Sequence, residues 1–477
     1  MSQQRQMTMI AFLNAQNCSN YVGSWRHPAS MSDFLMPEYY QRIARTLEDG
    51  RFDLAFFDDR LAMPDIYGRD HRATVENGVR AVKLDPTVVM MTMAAATTRL
   101  GLGATYSTTY YEPFHVARLF GTLDLMTKGR IAWNIVTSMN DSEAMNFGRD
   151  AHLDHDLRYD RADEFMEAVL GLWDSWDDDA IVCDKATGRF ADPNKVRRLD
   201  YEGQFFKTRG PLPVPRSLQG HPVLLQAGSS GRGRRFAGRW AELVFAAYTS
   251  IDAGKKQYES LRAAVAEAGR DPDSVKIAPA LQVVVAETRE AAAEKRAFLE
   301  SLNKPIDGLS LLCEVMNIDF SKRSYDEPFT DEELAAVPWQ SFRDSVIERS
   351  QKTNPSVRDF VEVSKRGKLD EQLVFSGSPK DVADEMETWF STVCDGFVVM
   401  AGSLPGSYED FVRLVVPELQ RRGLHRREYT GTTLRESLGL RKPRRGDRPS
   451  PGDRPEMGLR DAAAGRPGAT GGIGAKA

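Results

Sequence analysis

The sequence predicts an α/β fold, a (β/α)8 TIM barrel with large insertions between strands 4 and 5 and between strands 7 and 8. Eight short apolar runs bounded by turn residues read as strands, and stretches of helical period separate them. Such alternation builds a parallel sheet, and eight repeats favour closure over an open doubly wound sheet. Length is the third observation. The barrel typically takes about 250 residues, whereas the chain has 477. The surplus falls mainly in two gaps, 139–221 and 288–378, which read as insertions covering one end of the barrel.

In chain order the strands are MTMIAFL (7–13), FDLAFF (52–57), LGLGATYST (100–108), RIAWNIVTS (130–138), VLLQAG (223–228), ELVFAAY (242–248), KIAPALQVVVAE (276–287) and GFVVMA (396–401). Tyr40, Ile43, Ala44 and Leu47 carry helical spacing before the second strand, and the Ala/Met-rich 85–98 does so before the third. In the fourth, Asn134, Val136 and Ser138 alternate toward one side, so two polar side chains reach the strand end where barrels place chemistry. Within the second gap, DEPFTDEELAAVPWQSFRDS is mixed in character and belongs to neither pattern. Residues 1–440 read as a single domain. Residues 441–477 are rich in Gly, Pro, Arg and Asp with almost nothing apolar to bury, and read as a disordered tail.

Composition narrows the function. With 41% hydrophobic residues, a mean hydropathy of −0.43 and no apolar run of about 18 residues, the chain holds no bilayer span. The opening MSQQRQMTMIAFLNAQN lacks a basic stretch followed by a long apolar one, so a cytoplasmic location is expected. A net charge of −5 offers no basic footprint for nucleic acid. Cys18, Cys183, Cys313 and Cys394 are far apart and form no CxxC pair, which suits free thiols. His152 and His155 form an HxxH pair without a third ligand, so no metal is expected.

The stretch LLQAGSSGRGRRFAG (224–238) places an apolar strand directly before a glycine-rich helix start. Backbone N–H groups at such a junction attract anions. No Lys-Ser/Thr pair follows the glycines, so this is not a Walker A loop, and the spacing of Gly228, Gly231 and Gly233 does not make GxGxxG. On a barrel, loops after late strands hold cofactor phosphates. Here Ser229 and Ser230 would supply hydroxyls, Gly231 and Gly233 close backbone approach, and Arg232, Arg234 or Arg235 charge. A serine N-cap followed by solvated arginines accounts for the loop equally well.

Seven blocks together carry a resemblance: WRHP (25–28), YYQRIARTLEDGRFDLAFFDD (39–59), LGLGATYSTTYYEPFHVAR (100–118), GRIAWNIVTS (129–138), HDLRYDRADEF (155–165), QAGSSGRGRRFAG (226–238) and LPGSYEDFV (404–412). Over about residues 5–440 the chain resembles the two-component, FMN-dependent monooxygenases of the bacterial-luciferase-like superfamily, in the nitrilotriacetate and dibenzothiophene-sulfone group. The resemblance implies a barrel that binds reduced FMN from a separate NAD(P)H:flavin reductase, working as a homodimer or homotetramer. It places the flavin at Asp59, Thr105, Asn134, Ser138, His155 and Tyr159, with Ser229 and Ser230 on the phosphate. Asp58 adjoins Asp59, so either carboxylate could face the flavin.

The implied reaction is FMNH2- and O2-dependent oxidation through a flavin C4a-(hydro)peroxide, which needs a dry, apolar pocket rather than strong acid–base machinery. Phe12, Asn20, Phe56, Tyr110 and Phe245 are the expected pocket residues, with ordinary barrel core as the competing role for the aromatics. They suit a small apolar substrate, aromatic and sulfur-containing or halogenated. The alternatives within the group are alkanes, sulfides and polycarboxylates such as nitrilotriacetate. A polycarboxylate calls for clustered arginines, and only Arg26 and Arg60 stand near the expected mouth. Asn20-Tyr21-Val22 and Cys313-Glu314 depart from the sulfone enzymes' pattern, which has histidine there. Further alternatives are a deazaflavin enzyme, a flavin-storage protein and a metal-dependent barrel hydrolase, the last lacking its HxH.

Overall fold

All eight expected strands form and pair in parallel around a closed ring. They are β1 (Thr8–Asn14), β2 (Leu54–Asp58), β3 (Gly101–Ser107), β4 (Ile131–Val136), β5 (Val223–Gln226), β6 (Leu243–Ala246), β7 (Lys276–Val285) and β8 (Gly396–Met400). Each of the first six pairs with its successor along the chain, β1 pairs with β8 and β8 with β7, and the β6–β7 ladder closes the circle. The structure is a computed structural model and describes residues 5–228, 231–335, 337 and 340–447.

Side chains alternate across each strand, so every second residue faces the axis. Ile10, Phe12, Leu54, Phe56, Leu225 and Val398 form an interior cluster, with Phe245 packed against it. Their neighbours Ala11, Leu13, Ala55, Phe57 and Trp133 face the surrounding helices in a separate, larger core. Pro37–Asp49 forms a helix that buries Tyr40, Ile43, Ala44 and Leu47 as their spacing predicts, and Pro86–Ala95 is helical within the expected 85–98.

The N-terminal end of the barrel is sealed by the chain's own C-terminal segment. Leu434, Leu438 and Leu440 join the interior cluster from the short helix Leu434–Ser437 and the residues after it. A Cβ on Gly101 would lie 2.6 Å from a Leu434 methyl, so only glycine lets the plug sit there. Arg435 is 1% exposed; it pairs with Glu242 and donates to the carbonyls of Gln219 at 3.1 Å and His221 at 3.2 Å. The opposite end is therefore the one left for a site.

The two gaps are not wholly insertions. His155–Trp173 is a helix that packs between the helices Pro113–Met126 and Gly231–Trp240, as a barrel helix does. The addition proper is 174–221, built on two small antiparallel pairs, Ile181–Asp184 with Arg189–Ala191 and Tyr201–Glu202 with Lys207–Thr208. It does not cover the open end as expected but lies beside the C-terminal plug, where Arg216 donates to the Pro443 carbonyl at 2.6 Å and Gln219 accepts from Arg435, because the helix His155–Trp173 carries the chain to that end first. In the second gap, helices including Pro305–Met316 and Val357–Ser364 enclose a core of their own around Leu312, Cys313, Phe320 and Phe360. An unexpected strand, Leu373–Gly377, pairs with the far half of β7, from Leu281 to Val285. At ten residues β7 is longer than the ring uses, and its free edge recruits the extra strand.

The tail expected from 441 does not leave the barrel at once. Lys442 lies 2.8 Å from Asp178, Arg445 lies 3.3 Å from Asp177, and the Gly446 N–H donates to Asp174 at 2.9 Å. A segment with nothing apolar still docks here because the Asp174–Asp179 turn supplies complementary charge. Residues 448–477 lie outside the described part of the chain.

Burial alone would raise the Glu242 carboxyl, but the Arg435 charge and hydrogen bonds override it and hold it at about 2. Its folded value thus lies below the ordinary 4.5, so the pair's stabilisation is present above pH 4.5 and is lost as pH falls toward about 2. Arg435→Ala strands the carboxylate and is expected to cost about 3–5 kcal/mol. Thermal melts between pH 3 and 7 should show a lower Tm for the variant at pH 7 and a deficit that narrows as pH falls, because protonation relieves the stranded carboxylate.

Candidate active site

At the open end, the inward positions that follow the apolar layer are polar. Asn14 on β1 lies opposite Asp58 on β2, and Thr105 on β3 opposite Asn134 on β4. Asn134 donates to the Thr105 hydroxyl at 2.8 Å, and that hydroxyl donates to the Phe57 carbonyl at 2.9 Å. Asn14 donates to Asp58 at 3.4 Å. The side-chain carbonyl oxygens of Asn14 and Asn134 are buried and have no protein partner among the described residues. Each such acceptor costs about 1–3 kcal/mol when left unpaired. Ser138 takes a left-handed turn (φ 53°) as the chain leaves β4. Its hydroxyl donates to Ser107 at 2.9 Å, and its carbonyl accepts from Arg158.

Asp58 and Asp59 have different surroundings. Asp58 lies 3.8 Å from the Lys83 ammonium, in line with the inward positions. Asp59 follows the strand, half-buried, and accepts from the Arg60 N–H at 2.9 Å. Burial pushes its carboxyl up to about 7, with Lys83 opposing the shift and Asp58 adding to it.

Beneath the polar rim, Phe12 meets Phe56 at 5.5 Å and Phe245 at 5.7 Å between ring centroids, making an aromatic floor. Asn20 joins the rim near β8, its amide 3.9 Å from the Met400 sulfur and its oxygen accepting from Arg80 at 3.1 Å. Tyr110 stands apart from this floor. It stacks on Phe147 at 4.6 Å, and its hydroxyl is buried without a partner among the described residues. The expected pocket residues thus divide between a floor with Asn20 at its edge and a separate aromatic pair after β3.

His155 and Tyr159 share one helix face, their rings 5.2 Å apart, and Tyr159 meets Phe236 at 5.6 Å. Gly228 ends the β5 loop against them. A Cβ there would lie 2.4 Å from the Gln226 amide and 3.1 Å from the Tyr159 hydroxyl, so the backbone approaches closely only because residue 228 is glycine. Ser229 and Ser230 fall outside the described residues. The arginines after them do not act as expected. Arg232 pairs with Asp160 and lies 3.6 Å from Asp163, and Arg234 donates to Ser260 at 2.7 Å. Both are tied into helix–helix contacts, and Arg235 is exposed.

Arg26 is likewise committed elsewhere, gripping Asp307 through two bonds of 2.7 and 2.8 Å and so fastening the second insertion. Cys313 is buried in that insertion's core, and Glu314 accepts from the N–H groups of Asp65 and Ile66, both at 2.8 Å. The Cys313-Glu314 departure therefore lies in the insertion's attachment rather than on the aromatic floor. Sequence reasoning missed Arg80, Lys83 and Arg366, which loops bring toward the mouth, and Glu143, which the short helix Asp141–Asn146 brings there. Glu143 accepts from the Leu61 N–H at 3.1 Å, and Lys83 reaches Gln16 at 3.3 Å. The second insertion meets the segment after β4 where Asn317 donates to Asp141.

This geometry, with polar groups above an aromatic floor at the C-terminal end of a barrel, is that of a site for a flat, polar-edged ligand. Residues 17–396 match the family model described as Luciferase-like monooxygenase, and the chain belongs to that family. It is 48% identical over 451 residues to the dibenzothiophene-sulfone monooxygenase of Rhodococcus erythropolis, which covers 93% of this chain and 98% of that protein. The crystal structure of DmoA from Hyphomicrobium sulfonivorans superposes with a TM-score of 0.82 at 36% identity, over 91% of this chain and 92% of that one. Riboflavin lyase (RcaE), solved with modified FMN and riboflavin, gives 0.83 at 33% identity, over 92% and 97%.

Because the Asp59 carboxyl is raised from 3.8 to about 7, the folded state holds its proton more tightly than the unfolded chain. Asp59 therefore subtracts stability as pH rises from about 4 to 7 and beyond. Asp59→Asn removes that loss. Melting curves at pH 5 and pH 8 should show the variant gaining stability relative to the parent at the higher pH.

Proposed function

We propose that the chain is the oxygenase component of a two-component system, taking reduced FMN from a separate NAD(P)H:flavin reductase. With O2 it oxidises a small apolar compound, aromatic and sulfur-containing. The carrying observation is the pair of unpaired amide oxygens on Asn14 and Asn134 above three packed phenylalanine rings. An isoalloxazine fits that combination, with N–H and carbonyl groups along one edge and flat apolar faces. Family membership supports the reaction class, and the modified FMN in riboflavin lyase supports the cofactor. The 48%-identical relative favours an aromatic sulfur compound over a polycarboxylate or an alkane.

In this reading Thr105, Asn134, Ser138 and Asp59 hold the ring and ribityl chain. His155, Tyr159, Ser229 and Ser230 hold the phosphate. Reduced FMN supplies the electrons that activate dioxygen. The protein's part is placement and dryness. Gly228 lets the backbone come close, and the fixed Asn134–Thr105–Phe57 chain keeps the rim from rearranging. The aromatic floor and the second insertion, joined to the segment after β4, exclude water. Asp59, whose carboxyl is pushed up to about 7, is divided in neutral solution between its protonated and ionised forms and so can hold or release a proton at the rim. The enzyme works in the cytoplasm as a homodimer or homotetramer in this reading. No described helix is long and apolar enough to cross a membrane.

Incubation with a flavin reductase, NADH, FMN and a panel of aromatic sulfones and sulfides is expected to give oxygenated product. Hydrogen peroxide alone with every substrate would overturn the reading. Removing both hydroxyls in a Ser229→Ala, Ser230→Ala double variant should weaken FMN binding by about 10- to 150-fold, measured by flavin fluorescence.

Phe12→Ala and Phe245→Ala should raise peroxide released per NADH more than they weaken FMN binding, because an opened floor admits water. Peroxide yield, product yield and Tm measured together check this. A fall in Tm with unchanged coupling would make these rings barrel core only.

A further inference from the structure

The geometry points to an anion-binding subsite at the barrel mouth centred on Arg60, which takes a carboxylate or sulfonate group carried by the substrate's aromatic body. Arg60 is half-buried immediately after β2, yet no hydrogen bond or salt bridge joins its guanidinium to any described residue. The charges within electrostatic reach are Arg80, Lys83, Arg366, Asp58, Glu143 and Glu314. The three carboxylates are engaged elsewhere, Glu314 by the N–H groups of Asp65 and Ile66. Asp58 faces Lys83 at 3.8 Å and accepts from Asn14, while Glu143 accepts from the N–H groups of Leu61, Met139 and Asn140.

Arg80 and Arg366 add positive charge without using Arg60. Arg80 is 9% exposed and bonds to Asn20, and its Nε is buried with no partner among the described residues. Arg366 pairs with Glu371 at 2.9 Å, bringing a cation to the mouth from the second insertion. A guanidinium held by neighbours but not neutralised by them presents its planar fork to a ligand. Burial pushes the Arg60 guanidinium below its usual range, which an anion placed against it would reverse. With Phe12 and Phe245 below and Arg60 at the rim, the site suits an amphiphilic substrate, an apolar ring system ending in an acid. This inference rests on the oxygenase reading for the identity of the ligand as substrate.

The test compares diphenyl sulfone with 4-(phenylsulfonyl)benzoate on the FMN-loaded enzyme, by isothermal titration and by coupled turnover with reductase and NADH. The parent is expected to prefer the carboxylate. In Arg60→Gln the ratio of carboxylate to neutral affinity should fall by about 10- to 150-fold. Arg60→Lys keeps the charge but loses the fork, so its ratio should fall less. That variant also decides the matter should the glutamine variant fail to fold.

Equal losses for both compounds overturn the subsite, as does a loss of FMN affinity matching the loss in ratio, which would give Arg60 to the flavin. If binding of the carboxylate depends on Arg60 while turnover yields only peroxide, the anion subsite stands and the oxygenase reading fails.

Discussion

Closure of the strand ring is the constraint on which the rest of the structure depends. The β1–β8 ladder completes the cylinder by pairing residues separated by most of the chain, Thr8 with Gly396 through Ala11 with Val399. Once it forms, the alternation of side chains has only two destinations, axis or helix layer. Inward residues become an apolar layer topped by Asn14, Asp58, Thr105 and Asn134 at the strand ends. A one-residue slip in any of those ladders would send these polar groups into the helix layer, where no partner awaits them.

The barrel's two ends are specialised by different physics. The sealed end uses leucines and a buried Arg435–Glu242 pair, whose charges are compensated by carbonyls and by each other. Such a pair locates the plug more than it stabilises it, because desolvation offsets much of the attraction. The open end does the opposite. There amide oxygens and a guanidinium lack a protein partner among the described residues, and the second insertion is pinned above them by Arg26–Asp307, Glu314 and the Asn317–Asp141 contact. Polar groups left short of partners at the mouth of a dry pocket are what ligand recognition requires.

Much of this was legible in the sequence because it is local. Apolar runs bounded by turn residues marked all eight ring strands, and alternation in the fourth placed Asn134 at a strand end that the ring turns inward. Resemblance supplied Thr105, His155 and Tyr159, and the structure puts the last two in contact. What was not legible is tertiary. Lys83, Arg80 and Arg366 come from loops, and Glu143 from the short helix Asp141–Asn146, whose composition resembles any other polar segment. Arg232 and Arg234 could not be told from phosphate ligands until Asp160 and Ser260 were seen beside them. Gap length alone hid the barrel helix His155–Trp173, and tail composition alone hid the acidic turn that holds 442–446.

The central claim is that this mouth is built for reduced FMN. Anaerobic titration of the protein with photoreduced FMN, and separately with a reduced deazaflavin, followed by absorbance and fluorescence, tests it most directly. Saturable binding of reduced FMN at one equivalent per chain, with no binding of the deazaflavin, is the result expected. Saturable binding of the deazaflavin with none of reduced FMN would contradict it.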